Sequence, residues 1–364
     1  MKKILWAVVI LLALDTAVFR SGWYSSFLST LSPQGRSQHI IEELEEMPAT
    51  PTANILLLGD SRLTEGFNAG VASARVVEHG LRFLPGGSPG TNVRDWSYFL
   101  EEVDPDASRF RAVVLTFDSY RKRPPIDRDF DDLARDADVL APVVSTGALV
   151  DLIRSANGAG EEFALAPRLI VSGLNYRGDL MDLMRSPEGR WHDYQSRKAT
   201  FGLPMYGAYT GHPENVVGIS WNPDARTLQY PERLTQAQRS EIEEDVHKAN
   251  SDLVSAFDEF NAHWVGRIAR RYEGASTRLI LLRLPATPIP EAMDTAAFPS
   301  ASFVQQLQGR KSIVIGQENA FSNLERPEYF FDGRILNADR RRELTRQMTN
   351  LLVGMAEEGR IRPH

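Results

Sequence analysis

The chain has 364 residues, 42% of them apolar and 24% charged, which suits a globular protein of one large domain or two ordinary ones. A formal net charge of −7 argues against a nucleic-acid partner, because neutralising phosphates requires a basic surface. The absence of cysteine excludes disulfides, thiolate metal sites and cysteine nucleophiles.

In chain order, Lys2 and Lys3 precede an apolar run over residues 4–14, interrupted by Asp15 and resumed over 16–19 before Arg20. A charged start followed by an apolar stretch is the pattern of an export segment. The run is shorter than the ~20 residues that cross a bilayer comfortably, so a retained anchor and a cleaved signal both stay open. No clear A-x-A cleavage site follows, and Trp23 and Tyr24 stand where interfacial aromatics belong, so residues 1–22 are expected to form a membrane-anchor helix. The lysines then hold the start in the cytoplasm and put the globular part on the extracytoplasmic side, periplasmic or extracellular. Residues 23–52 read as a stalk with a short helix over 37–46, ending in a Pro/Thr-rich joint at 48–52.

A globular domain is expected over 53–364. Continuous apolar runs of strand length occupy residues 54–58, 111–117 and 277–284, with a weaker one at 312–315. Such runs fit strands buried on both faces of a parallel sheet. Helix-period segments alternate with them, at 93–102, 128–135, 148–154, 236–271 and 339–358. This alternation predicts an α/β fold, a three-layer α/β/α sandwich on a mainly parallel, flavodoxin-like sheet. Residues 185–233 break the rhythm with prolines, glycines and scattered aromatics such as Trp191, Tyr194 and Trp221. They read as an insertion over the sheet edge, either a ligand lid or a structural cover. Arg340, Arg341, Arg342 and Arg346, interleaved with Glu343, read as a solvated helix face.

The chemistry concentrates where the first domain strand ends, at Gly59, Asp60, Ser61 and Arg62. A serine just after a buried strand projects its hydroxyl at the carboxyl edge of the sheet, where open α/β sheets bind ligands. Backbone amides opening the next segment suit a developing oxyanion. This Gly-Asp-Ser block after an apolar strand resembles the first block of the SGNH (GDSL-type) hydrolases, and the resemblance extends over about residues 53–358.

The resemblance implies that Ser61 is the nucleophile and that the backbone N–H groups of Ser61 and Gly90 form an oxyanion hole. Gly90 stands in the glycine-rich stretch 84–92 before a helical pattern, with Asn92 close by. The third family block supplies an oxyanion asparagine, but this chain has Thr116, Phe117 and Asp118, and a carboxylate pointing into the site would repel an oxyanion. The fourth block, Asp-x-x-His, supplies the base and its orienting carboxylate. The chain keeps Asp332 and has Ile335 in place of the histidine. His192 and His212, in the inserted segment, are the histidines able to fold over the edge as a substitute base. Asp60 and Arg283 are further accessory candidates, Arg283 as a partner for Asp332 or Asp118 or for an anionic substrate group. No metal-ligand spacing is present and no cofactor is implied.

Two functional readings follow. One is a membrane-tethered envelope esterase or O-acyltransferase acting on acylated glycans. The other is a non-catalytic SGNH-like component that binds or assembles with an envelope polysaccharide system.

Overall fold

A computed structural model describes residues 2–29, 32–47, 53–123, 125, 129–156, 159–200, 218–222, 227–240, 253–287, 299–331 and 334–361. The chain forms two compact units. A helical unit comprises residues 1–48, 88–105 and 132–201, and a sheet unit comprises 49–87, 106–131 and 202–364.

From the N-terminus the elements are α1 (Lys2–Asp15), α2 (Pro33–Glu46), β1 (Asn54–Leu58), α3 (Ser61–Gly66), α4 (Ala69–Arg75), β2 (Arg82–Pro85) and α5 (Val93–Val103). There follow β3 (Ala112–Phe117), α6 (Leu133–Leu140), α7 (Thr146–Arg154), α8 (Ala159–Ile170), α9 (Arg177–Arg185) and α10 (Pro187–Thr200). A hairpin of β4 (Ser220–Asn222) and β5 (Thr227–Gln229) precedes α11 (Val254–Arg271), β6 (Arg278–Arg283), α12 (Ser302–Leu307), β7 (Ile313–Ile315) and α13 (Ala338–Glu357).

In the sheet unit, five parallel strands run in the order β2-β1-β3-β6-β7. With the separate hairpin left out, this is the 2-1-3-4-5 order of doubly wound sheets. β1 and β3 are buried at every position, as a parallel sheet covered on both faces requires. Ile55, Leu57, Val114 and Ile280 share one core with Leu344, Met348 and Leu352 of α13. Side chains alternate along a strand, so Phe117 points to the opposite face from Val114, and there it stacks on Phe303 of α12 at 4.8 Å.

The three long apolar runs are therefore neighbouring parallel strands, as their composition predicts. β1 keeps both expected ends, whereas β3 starts one residue late and β6 is one residue shorter at each end, the flanking hydrogen bonds continuing without strand geometry. The Arg111 amide donates to the Asn54 carbonyl at 2.8 Å, and the Leu284 amide to that of Phe117 at 2.7 Å.

Other expectations require correction. Residues 185–200 are not an irregular excursion: α9 ends at Arg185 and α10 follows at once. Their helical period is obscured because large apolar side chains, Met184 and Trp191 among them, point outward. The helix expected over 128–135 starts at Leu133, because the Asp132 side chain caps it by accepting from the amides of Ala134 and Arg135. Arg341 is not part of a solvated face; it is buried and pairs with the fully buried Glu65 at 3.4 Å.

At the N-terminus, no helix among the described residues is long and apolar enough to cross a membrane. The 14-residue α1 rises about 21 Å, against a hydrocarbon core of about 30 Å. Asp15, its last residue, is anchored: the buried carboxylate accepts hydrogen bonds from the amides of Ser172 and Gly173 at 2.9 and 2.7 Å. Beyond it the apolar run continues as a π-helix over Thr16–Arg20, whose Phe19 stacks on Tyr176 of the helical unit.

Candidate functional site at the carboxyl edge of the sheet

β1 and β3 are paired in parallel, so their carboxyl ends lie side by side and bring the segment after Leu58 close to Asp118. Gly59 permits the approach. A Cβ at this position would stand 2.2 Å from Thr116 Oγ1 and 2.7 Å from Leu63 Cβ, and Thr116 Oγ1 itself donates to the Leu58 carbonyl at 3.0 Å. Asp60 then caps α3, its Oδ1 accepting from the Arg62 amide at 2.9 Å. Ser61 is the first residue of that helix, partly buried, and among the described residues its hydroxyl makes no hydrogen bond.

Sequence reasoning gave no role to Arg62, which organises this edge. Its guanidinium donates to both oxygens of Asp60, the shortest contact being 2.7 Å, and pairs with Asp118 at 3.1 Å. Burial works against the Arg62 charge, but Asp60 and Asp118 outweigh it and hold the guanidinium more firmly protonated than usual. Burial likewise works against the Asp118 carboxylate, and Arg62 followed by Arg123 overcomes it, holding Asp118 below the usual carboxylate range. Asp118 is thus an ionised carboxylate, but one whose charge is bound by a neighbouring cation. The sequence carries half of this signal, a basic residue two positions after Asp60; the second partner, Asp118, comes close only through the pairing of β1 with β3.

Arg283 ends β6 on the same edge and is buried. It pairs with Glu325 at 2.6 Å and donates to the Glu318 carbonyl at 3.1 Å. Glu318 in turn holds Arg121 at 2.8 Å. The polar side chains of this edge are thus bound largely to one another.

Ile335 is buried, and its carbonyl accepts from the Phe331 amide at 2.8 Å, next to the bridge between Phe330 and Leu336. An aliphatic side chain there cannot take a proton. Asn337 caps α13 by accepting from the Arg340 amide at 3.2 Å. Asp332 and His212 lie outside the described residues.

Gly90, Asn92 and His192 belong to the helical unit. Gly90 adopts a left-handed φ of 72°, as the turn into α5 requires. The Asn92 amide side chain is already committed. Its oxygen accepts from the Arg94 amide at 2.8 Å, its nitrogen donates to Asp136 at 3.2 Å, and Asp95 completes the capping box. Arg94 and Asp136 form a buried pair at 2.5 Å behind it. Burial, and then the nearby Asp136, hold Asp95 well above the ordinary carboxylate range. His192 is exposed on α10.

Two other described histidines belong to the sheet unit. His79 precedes β2, at the opposite edge of the sheet from Ser61, and pairs with Glu357 at 3.2 Å. His263 stands on α11 against Trp264, and burial, followed by Arg270 and Arg267, lowers its pKa. Neither hydrogen-bonds to Ser61.

No known family model matches this chain, and no curated protein matches it significantly in sequence.

Proposed function

We propose that the protein is an SGNH-like envelope component that binds an acylated glycan, or the polysaccharide machinery handling it, without hydrolysing the ester. The family reading rests on the Gly59, Asp60, Ser61 block at the end of the central β1, together with the Asp332 to Asn337 segment ahead of the last helix. The observation that carries the non-catalytic part is the bridge from Arg62 to Asp60 and Asp118 beside Ser61. A serine hydroxyl attacks an ester only when a base removes its proton. Asp60 and Asp118 are occupied by Arg62, Asp118 is a weaker base than an ordinary carboxylate, and Ile335 stands at the family's histidine position.

The N-terminal segment holds this component at the extracytoplasmic face of a membrane. Ile4, Leu5, Trp6, Leu11 and Leu14 of α1 are all exposed, and hydrocarbon is the solvent that suits a helix apolar all round.

The reading of Ser61 as an esterase or acyltransferase nucleophile is favoured by one observation, its unshared hydroxyl at the start of α3. Incubating the full chain with an O-acetylated polysaccharide separates the two. Complex formation without acetate release is expected; acetate release that Ser61→Ala abolishes would establish the esterase.

A further inference from the structure

We infer that α1 does not hold the membrane alone: the helical unit itself sits in the headgroup and upper acyl region of one leaflet, on the aromatic row of Trp23, Phe27, Tyr194 and Trp191 and on Ile170 and Leu174 at the root of α1. This rests on the reading that α1 enters a bilayer. α1 is fixed to the helical unit at its root. Besides the two amides held by Asp15, Arg20 donates to the carbonyls of Leu169 and, at 3.1 Å, Ile170. The Phe19 ring stacks on Tyr176 at 5.2 Å. A Cβ on Gly173 would come within 2.7 Å of that Phe19 ring, so the close approach depends on glycine. A helix held in this way carries the surface at its root toward the membrane whenever it inserts.

The four rings of that surface form one row. The ring centroids of Trp23 and Phe27 lie 5.2 Å apart, those of Phe27 and Tyr194 5.6 Å, and those of Tyr194 and Trp191 5.5 Å. The two ends of the row are exposed, Trp23 at 60% and Trp191 at 55%. Ile170 and Leu174, on either side of the amides that hold Asp15, are exposed at 60% and 42%. Tryptophan and tyrosine favour the membrane interface, where an apolar body and a polar tip are both satisfied.

Length points to lipid as the occupant. α1 reaches about 21 Å, roughly 9 Å less than the hydrocarbon core, and an apolar protein face lying in the interface sinks about 5–10 Å. The root surface therefore makes up most of the shortfall. A second protein copy would cover one face of α1, whereas lipid covers every face, and α1 is apolar on every face.

Because the chain has no cysteine, one introduced cysteine can be labelled uniquely. Leu5→Cys, Ile170→Cys and Trp191→Cys would each be made in the full chain, given a nitroxide label and reconstituted with phosphatidylcholine and phosphatidylglycerol vesicles. Power-saturation electron spin resonance would then compare access by oxygen with access by an aqueous nickel chelate. The expected result is a several-fold preference for oxygen at position 5 and a smaller but clear one at 170 and 191. Preference at 5 with none at 170 and 191 would overturn the seat and leave membrane insertion standing. No preference at any position would overturn both. Label-to-label coupling at 170 or 191 without oxygen preference would show a second copy on this surface and overturn the seat.

Discussion

Among its described residues the sheet unit exposes only three large apolar side chains, Val71, Val77 and Phe331, whereas the helical unit exposes Trp23, Phe163, Ile170, Met184 and Trp191 besides most of α1. Both units also contain buried ion pairs, Arg341 with Glu65 in one and Arg190 with Asp179 in the other. The units therefore differ in what their apolar groups face. The sheet unit turns them inward and leaves a carboxyl edge of mutually paired charges. The helical unit has a buried apolar core too, but it also turns several large apolar side chains outward, which in water is unfavourable unless a partner or lipid covers them.

The sharpest way to break this contrast is Arg190→Ala. Arg190 is buried and bonds both Asp179 oxygens at 2.8 Å, while Asp179 also accepts from the Tyr24 hydroxyl at 2.7 Å. Losing the cation strands a buried carboxylate and should cost about 3–5 kcal/mol. Urea denaturation followed by far-UV circular dichroism should show a correspondingly lower midpoint. A loss below about 1 kcal/mol would mean that the pair is solvated as a surface pair is.

Gly59→Ala is the matching test in the sheet unit. The added methyl meets Thr116 Oγ1 and Leu63 at impossible distances, so β1 or α3 must shift. Overpacking of this kind costs about 1–3 kcal/mol. The same denaturation experiment reads it, and an unchanged midpoint would show that the strand end has room to relax.

The same contrast explains what the sequence made legible. β1, β3 and β6 read clearly because burial on both faces forces unbroken apolar runs, and their neighbouring parallel arrangement follows from that pattern. α8, α9 and α10 did not, since Phe163, Met184 and Trp191 sit on the outside and erase the apolar stripe by which a helix is recognised. At the candidate site, the placement of Ser61 at a strand end was readable from Gly59 and the preceding leucines. The Arg62 bridge was not, because Asp118 is distant in sequence and only strand pairing brings it close. Arg283 shows the same limit: its partner Glu325 comes from a loop whose path no periodicity reveals.

A smaller effect concerns pH. Burial pushes Asp138 up to about 6, and its pairing with Arg168 offsets only part of that. An unfolded aspartate titrates near ~3.9. The folded chain thus keeps a proton that the unfolded chain releases, so this group's contribution to stability is greatest below about pH 4 and declines as pH rises to about 6. The side chain is 38% exposed, so solvent screening keeps the slope shallow. Asp138→Asn should flatten it in denaturation midpoints measured across that window. An unaltered slope would assign the pH dependence to other groups.

The proposed function rests on Ser61 finding no activating base among the described residues. It is tested most directly by treating the full chain with a serine-directed fluorophosphonate probe and following adduct formation by intact-protein mass spectrometry. With Arg62 bound to Asp60 and Asp118 and isoleucine at position 335, labelling should be no faster than for Ser61→Ala. Prompt single-site labelling that Ser61→Ala abolishes would contradict the account.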